Sequence, residues 1–196
     1  MSLKDKKINI VAVCGSARPN SMTGKVLAIV LDEIGQNKEL ALQVIDPTLF
    51  DLNVRDDDNS PTVQWLKESI TQATGVILAT PEYHGSYSSV MKLIIDHLGF
   101  PSVLSGKPVV LMGVASGQIG AIKALEHLRS VCSHVGAIVL PSVVSVARVN
   151  DLFDENGRCK DPKMEKRIRS VATTLIEYIN QNVCPRLILE EMVREK

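Results

Sequence analysis

The sequence predicts an α/β fold, a parallel sheet with helices on both faces. Three observations carry this. Short runs that are apolar throughout alternate along the chain with longer amphipathic stretches, and continuous apolarity marks a strand buried on both faces. No tight turn joins one such run to the next, so each pair needs a crossover, which a helix supplies when the strands are parallel. The length, 196 residues, suits one domain with a substantial core.

The first strand is Ile8–Cys14, almost wholly apolar. Residues 15–21 form a turn-rich loop. The next helix aligns Val26, Leu27, Val30, Leu31 and Ile34 on one face and ends at Gly35. Leu40–Ile45 reads as the second strand and 46–60 as a polar, Asp-rich loop. Ser60 and Pro61 have the form of an N-cap followed by proline at the first helical position. That helix carries Trp65, Leu66 and Ile70, and Gly75 closes it. Residues 76–80 are the third strand and 81–87 a second notable loop. A helix over 88–98 follows. Residues 107–115 contain the fourth strand, Ser116 and Gly117 turn the chain, and 119–134 is helical with Ile122, Leu125, Leu128 and Cys132 in register. Residues 137–140 are the fifth strand. Asp161 and Pro162 start a last helix running through Ile168, Leu175 and Ile179.

Five strands favour the flavodoxin-like order 2-1-3-4-5 over the six-strand dinucleotide fold. Either arrangement places a ligand beyond the carboxyl ends of the strands, at loops 15–21, 81–87 and 116–118. One domain is expected over 1–182. The tail, 183–196, places Leu187, Ile188, Met192 and Val193 at near-helical spacing and is expected as a short helix.

Composition narrows the function. The chain is 45% hydrophobic and 22% charged, which excludes disorder as its main state. Lys+Arg and Asp+Glu are 22 each; that balance speaks against nucleic acid and polybasic membrane anchoring as partners. No apolar run is long enough for a membrane-spanning helix, and residues 1–7 lead into a strand rather than a signal-peptide core. Neutrality favours self-association. Cys14, Cys132, Cys159 and Cys184 show no CxxC spacing, so packing roles and a reducing cytoplasm are expected.

The first loop gathers the hydroxyls of Ser16, Ser21 and Thr23 and the guanidinium of Arg18 where a helix is about to begin. Free first-turn N–H groups and the positive dipole end complete a site for a phosphate dianion; the plainer alternative is that Ser21 only caps the helix. A nucleotide P-loop is excluded because Val26 follows Gly24 and Lys25 where Ser or Thr is needed. The G-x-G-x-x-G pattern is absent. A cysteine phosphatase needs five residues between Cys and Arg, and only three separate Cys14 from Arg18.

In the second loop Pro81 stiffens the chain and Gly85 permits close backbone approach, while Tyr83 and His84 offer flat surfaces. Such a loop suits the edge of a heteroaromatic ring, and the small residues around Ser116 and Gly117 let a ring lie against the backbone. No metal site is expected. His127 and His134 lack further ligands, and Asp56 to Asp58 have Pro61 and Lys67 where a calcium loop needs Gly and Glu. Glu82 has no evident partner for acid–base work, and a structural or surface role is expected.

Gly15-Ser16-x-Arg18-x-x-Ser21, Pro81-Glu82-Tyr83-His84-Gly85-Ser86 and Ser116-Gly117 after the fourth strand together resemble the NAD(P)H-dependent FMN reductase family. That family includes quinone, azo-dye and chromate reductases of flavodoxin-like fold. The resemblance runs from about residue 8 to 180. It implies that Ser16, Arg18, Ser21, Met22 and Thr23 hold the FMN phosphate. Pro81, Glu82, Tyr83, His84 and Gly85 would line the isoalloxazine edge, with Ser116 and Gly117 approaching from the other loop. Ser88 and Ser89 stand where many members carry Pro-Gly. The resemblance also implies a homodimer or homotetramer formed through the helix after the second motif, whose Val90, Met91, Leu93, Ile94, Ile95 and Leu98 cover more than one face.

The expected activity is therefore hydride transfer from NADH or NADPH to FMN and onward to a small-molecule acceptor: a quinone, azo compound, metal oxyanion or free flavin. One ring face serving both partners implies ping-pong kinetics, and no catalytic side chain is required because the flavin carries the chemistry. The alternatives are a flavodoxin-type electron carrier and a non-catalytic flavin-binding sensor. The neutral charge and 4% aromatic content argue against the carrier.

Overall fold

In the computed structural model, residues 7–141 and 143–194 are described. The expectation for residues 1–6 and the outer limits of the 1–182 domain and 183–196 tail lie outside them. Five parallel strands form the sheet: β1 (Ile8–Cys14), β2 (Leu40–Ile45), β3 (Gly75–Tyr83), β5 (Pro108–Val114) and β6 (Ile138–Val139). Their spatial order is β2-β1-β3-β5-β6, which is the expected 2-1-3-4-5 path. Two short strands raise the total to seven rather than five. β4 (Ser86–Tyr87) turns back antiparallel on β3, and β7 (Val144–Val146) pairs with β5 beyond β6.

Both additions have physical reasons. β3 continues to Tyr83 and closes a tight hairpin through His84 (φ +50°) and Gly85 (φ +75°). Positive φ at both central residues is the mark of a type I′ turn, whose twist matches that of the strands it joins. The 81–87 segment is thus a hairpin and not an open loop. β6 and β7 share one edge, interrupted near Pro141, which has no N–H to give to a ladder.

Alternate residues of β1 enter two cores, as the period of a strand requires. Ile10, Ala12 and Cys14 face α1 (Met22–Gly35) and α5 (Pro162–Tyr178). Val11 and Val13 face α2 (Pro61–Gln72), α3 (Ser89–Asp96) and α4 (Ile122–His134). α3 and α4 are shorter than expected, beginning at 89 and 122 rather than 88 and 119.

The helix ends follow their chemistry. Ser21 caps α1, and Asp161 caps α5 through Lys163 N at 2.9 Å and Met164 N at 3.1 Å. Ser60 stands at the N-cap of α2, but its side chain makes no capping bond. Lys107 Nζ donates to the carbonyls of Thr71 (2.9 Å) and Ala73 (2.7 Å) at the other end of α2, and burial pushes its ammonium pKa down. Arg169 joins α5 to α1 through Asp32 at 2.7 Å and Glu33 at 3.1 Å. α5 leads through a π-helical turn (Ile179–Val183) into α6 (Cys184–Arg194), so the tail is helical and continuous with the last helix. α6 leaves Ile188, Leu189, Met192 and Val193 exposed.

Candidate functional site

The strand order reverses between β1 and β3, and a crevice opens beyond their carboxyl ends, the usual ligand position in such sheets. The loop after β1 is clamped to β3 at once. Gly15 N donates to Ala79 O at 2.7 Å, and a Cβ at Gly15 would lie 2.8 Å from that oxygen. Only glycine fits this approach. Asn20, at φ +55°, then swings the chain into α1.

At the start of α1, Ser21 Oγ accepts from Gly24 N at 3.1 Å. The N–H groups of Met22 and Thr23, at the first two helical positions, have no intrahelical acceptor and remain for a ligand. Arg18 is exposed beside them, its guanidinium carbon 5.0 Å from the centroid of the Tyr83 ring. The Ser16 hydroxyl instead points inward; the residue is 3% exposed, and the oxygen accepts from Arg18 N at 3.4 Å.

A buried hydroxyl relay joins this loop to the next. Ser88 Oγ donates to Gly15 O at 2.5 Å and accepts from Met91 N at 3.1 Å, capping α3. Ser88 N donates to Thr80 Oγ1 at 3.1 Å. Glu82 Oε2 accepts from Ala124 N at 3.0 Å. α4 has Ala121 at its N-cap and no side-chain cap of its own, so Glu82 serves that end from outside. Its carboxylate has a structural task and is no free acid or base.

The third loop hangs from the sheet edge. Ala115 N donates to Val146 O at 2.9 Å, and Val149 N to Ala115 O at 3.1 Å. Asn150 Nδ2 donates to Ser116 Oγ at 3.3 Å. Gly120 (φ +77°) leaves room only for a hydrogen beside Ser145 Oγ, and that oxygen accepts from Ala121 N at 2.9 Å.

These three segments enclose a cleft of about 280 Å³. It brings together Arg18, Ser21, Met22, Thr23, Pro81, Glu82, Tyr83 and Ser116. Ser16, His84, Gly85 and Gly117 do not line it: Ser16 is buried beneath the loop, and His84 and Gly85 form the hairpin turn. Pro19, Asn20, Val114 and Ala115 also line the cleft, within or next to the loops the sequence pointed to but not among its singled-out residues; sequence reasoning missed Val149 and Asn150. These two sit on a 3-10 turn (Val149–Asp151) whose short polar sequence carries no signal of its place in the fold.

Cys14 lies under the phosphate-type loop, its thiol 3.8 Å from Ser16 O, and burial raises its pKa. Among the described residues no group of His, Cys, Asp and Glu has the makings of a metal site. Two cavities are larger. One, about 680 Å³, lies at the opposite end of the sheet against α6. The other, about 430 Å³, is a mostly apolar pocket at the β7 edge. Neither joins free helix-start amides to a slot between backbone segments. The small cleft does, and that donor set fits a phosphate carrying a flat ring.

The fold and this crevice define a flavodoxin-like α/β domain. Solved structures bear that out: the flavoenzyme NAD(P)H:(acceptor) oxidoreductase FerB from Paracoccus denitrificans superimposes with a TM-score of 0.73 at 24% identity, over 88% of this chain and 97% of that one. A flavodoxin from the domain Archaea gives 0.61 at 13% identity, covering 88% and 98%. The model of the NADPH-dependent FMN reductase family matches residues 8–151, and the chain belongs to that family. It is thus an oxidoreductase whose cofactors are FMN and NAD(P)H. Among curated relatives, a quinone reductase of Escherichia coli (strain K12) is 30% identical over 183 residues, 90% of this chain and 97% of that protein. An FMN-dependent NADPH-azoreductase of Staphylococcus aureus (strain USA300) is 29% identical over 180 residues, 87% and 94%.

Proposed function

We propose that the cleft holds FMN and that the protein reduces quinones and azo compounds with electrons from NADH or NADPH by a ping-pong mechanism. The carrying observation is the pair of unclaimed amides on Met22 and Thr23 beside Arg18, a phosphate cradle at the switch point of the sheet. Bound there, FMN supplies two-electron chemistry between the reduced nicotinamide and the acceptor. Arg18, Met22 and Thr23, with the Ser21 and Thr23 hydroxyls, hold the phosphate. The backbone of 81–83 and of 115–116 orients the ring, and the amides of the 81–87 segment stabilise negative charge at its edge. Ser16, His84, Gly85 and Gly117 act from behind these surfaces by shaping the three segments.

A single slot supports ping-pong kinetics, because donor and acceptor must use it in turn. The names of the E. coli and S. aureus relatives support quinones and azo dyes as acceptors; metal oxyanions and free flavin extend the same class. Four free cysteines support a reducing, cytoplasmic setting, and among the described residues no helix is long and apolar enough to cross a membrane. The half-buried Val90 and Leu93 on α3 support a homodimer or homotetramer through that helix. Light scattering of wild type and Leu93→Glu tests it: the variant should dissociate.

The deciding experiment has two steps. The visible spectrum and calorimetry with FMN come first, then oxidation of NADH and NADPH with benzoquinones, an azo dye or free FMN. Parallel double-reciprocal lines are expected. A protein that takes up no FMN overturns the proposal.

A further inference from the structure

Resting on that reading of the cleft, a second feature bears on the hydride donor. On the side of the β3–β4 hairpin away from the loop after β1, α4 presents a lysine and a histidine. Lys123 and His127 stand at i and i+4, on one face of the helix. The stem of Lys123 lies along the hairpin turn: a Cβ on Gly85 would sit 3.5 Å from its Cδ. His127 Nδ1 lies 3.1 Å from the Ser86 hydroxyl, so the other ring nitrogen is left over. Both side chains are exposed, and neither has a carboxylate within 4.0 Å among the described residues.

The nearby acids do not answer these charges. Glu82 is engaged by Ala124 N, and Glu126 lines the separate pocket on another side of the helix, with Ile122 and Arg129. The strand order β1-β3-β5 sets the phosphate loop on one flank of the hairpin and α4 on the other. On that reading of the cleft, a ring over Pro81–Tyr83 has the phosphate cradle at one end and Lys123 with His127 at the other. A neutral quinone has no use for the pair. An elongated donor stacked on the ring and extending away from the occupied cradle passes the hairpin turn and meets it. NADPH differs from NADH by one phosphate dianion on the adenosine ribose, a ligand suited to the Lys123 ammonium and to the ring nitrogen that His127 has left over.

We infer that Lys123 and His127 receive the 2′-phosphate of NADPH and so make NADPH the better hydride donor. The test uses the FMN-loaded protein with one fixed quinone. In wild type kcat/KM is expected to be higher with NADPH, and equal values for the two nucleotides overturn the inference. In Lys123→Glu the NADPH-to-NADH ratio of kcat/KM falls about tenfold or more, the scale of a lost charge-assisted bond, and Lys123→Arg restores it. Calorimetry gives a readout free of turnover: adenosine 2′,5′-bisphosphate binds wild type and Lys123→Arg, and Lys123→Glu binds it no better than 5′-AMP. If Lys123 merely steadies the hairpin, Lys123→Glu slows both nucleotides alike and the ratio stays put, which overturns the inference. A wild type that takes up no FMN, or that oxidises neither nucleotide once loaded, overturns the proposed function, and this inference with it.

Discussion

Arg18 carries the sharpest expectation at the scale of single residues. It sits in the cleft with no carboxylate partner among the described residues and a stacked contact to Tyr83. Arg18→Ala should weaken FMN binding by about ten- to a hundredfold, read by fluorescence titration. Turnover at saturating FMN should change little, because the proposed role of the guanidinium is to hold the phosphate and not to touch the reacting ring. Equal loss of turnover in the fully loaded variant would count against this role. The polar residues of the first loop were legible because three hydroxyls and a guanidinium before a helix have few other uses. Their division of labour was not. Ser16 turns inward to Arg18 N, and nothing in a linear sequence distinguishes its hydroxyl from that of Ser21. Glu82 was expected in a structural or surface role, and its partner, Ala124 N, lies 42 positions away.

Elements show where pattern reading works and where it stops. Continuous apolar runs marked the five parallel strands and their number favoured the order seen, although β6 keeps only Ile138–Val139 of the expected 137–140; the cap at Ser21 marked the start of α1. β4 and β7 span two and three residues, too short for any period to register. The hairpin is set by turn chemistry at His84 and Gly85, where only the glycine advertises a positive φ. Ser88 read as part of a helix start, yet it links three segments. Ser88→Ala removes the cap of α3 and strands the Gly15 carbonyl. It should cost about 1–3 kcal/mol in chemical denaturation and also weaken FMN binding, since the loop loses its anchor. Unchanged FMN affinity in a folded variant would confine Ser88 to capping.

Across the whole molecule, two cores on opposite faces of one sheet put the thiols in two classes. Cys14 and Cys132 are buried, while Cys159 and Cys184 are half-buried. At pH 8 a thiol reagent should label the latter pair in the native protein and the former only on unfolding. Burial pushes the Cys132 thiol up from 9.0 to about 12, against a smaller downward pull from Arg129. The unfolded chain ionises first, so the stability this group contributes is complete below pH 9 or so and is lost as pH rises toward about 12. The slope is about 1.4 kcal/mol per pH unit for one such group, and urea titrations of Cys132→Ala should show a shallower fall. α6 packs mainly on the turn that precedes it. Truncation after Cys184 should therefore leave FMN binding intact and Tm nearly unchanged; loss of both would extend the functional domain to the tail.

The link from Thr80 through Ser88 to Gly15 also constrains how such an enzyme diversifies. Because the loop after β1 and the β3–β4 hairpin are fastened to each other beneath the surface, neither can drift without dragging its neighbour. Innovation is channelled outward, to the hairpin tip and the rim, where residues can be exchanged while the joinery stays fixed. A library randomising positions 83–86 with 15, 80 and 88 held constant should yield soluble, flavin-loaded variants with altered acceptor choice. The converse library should yield mostly empty or misfolded ones.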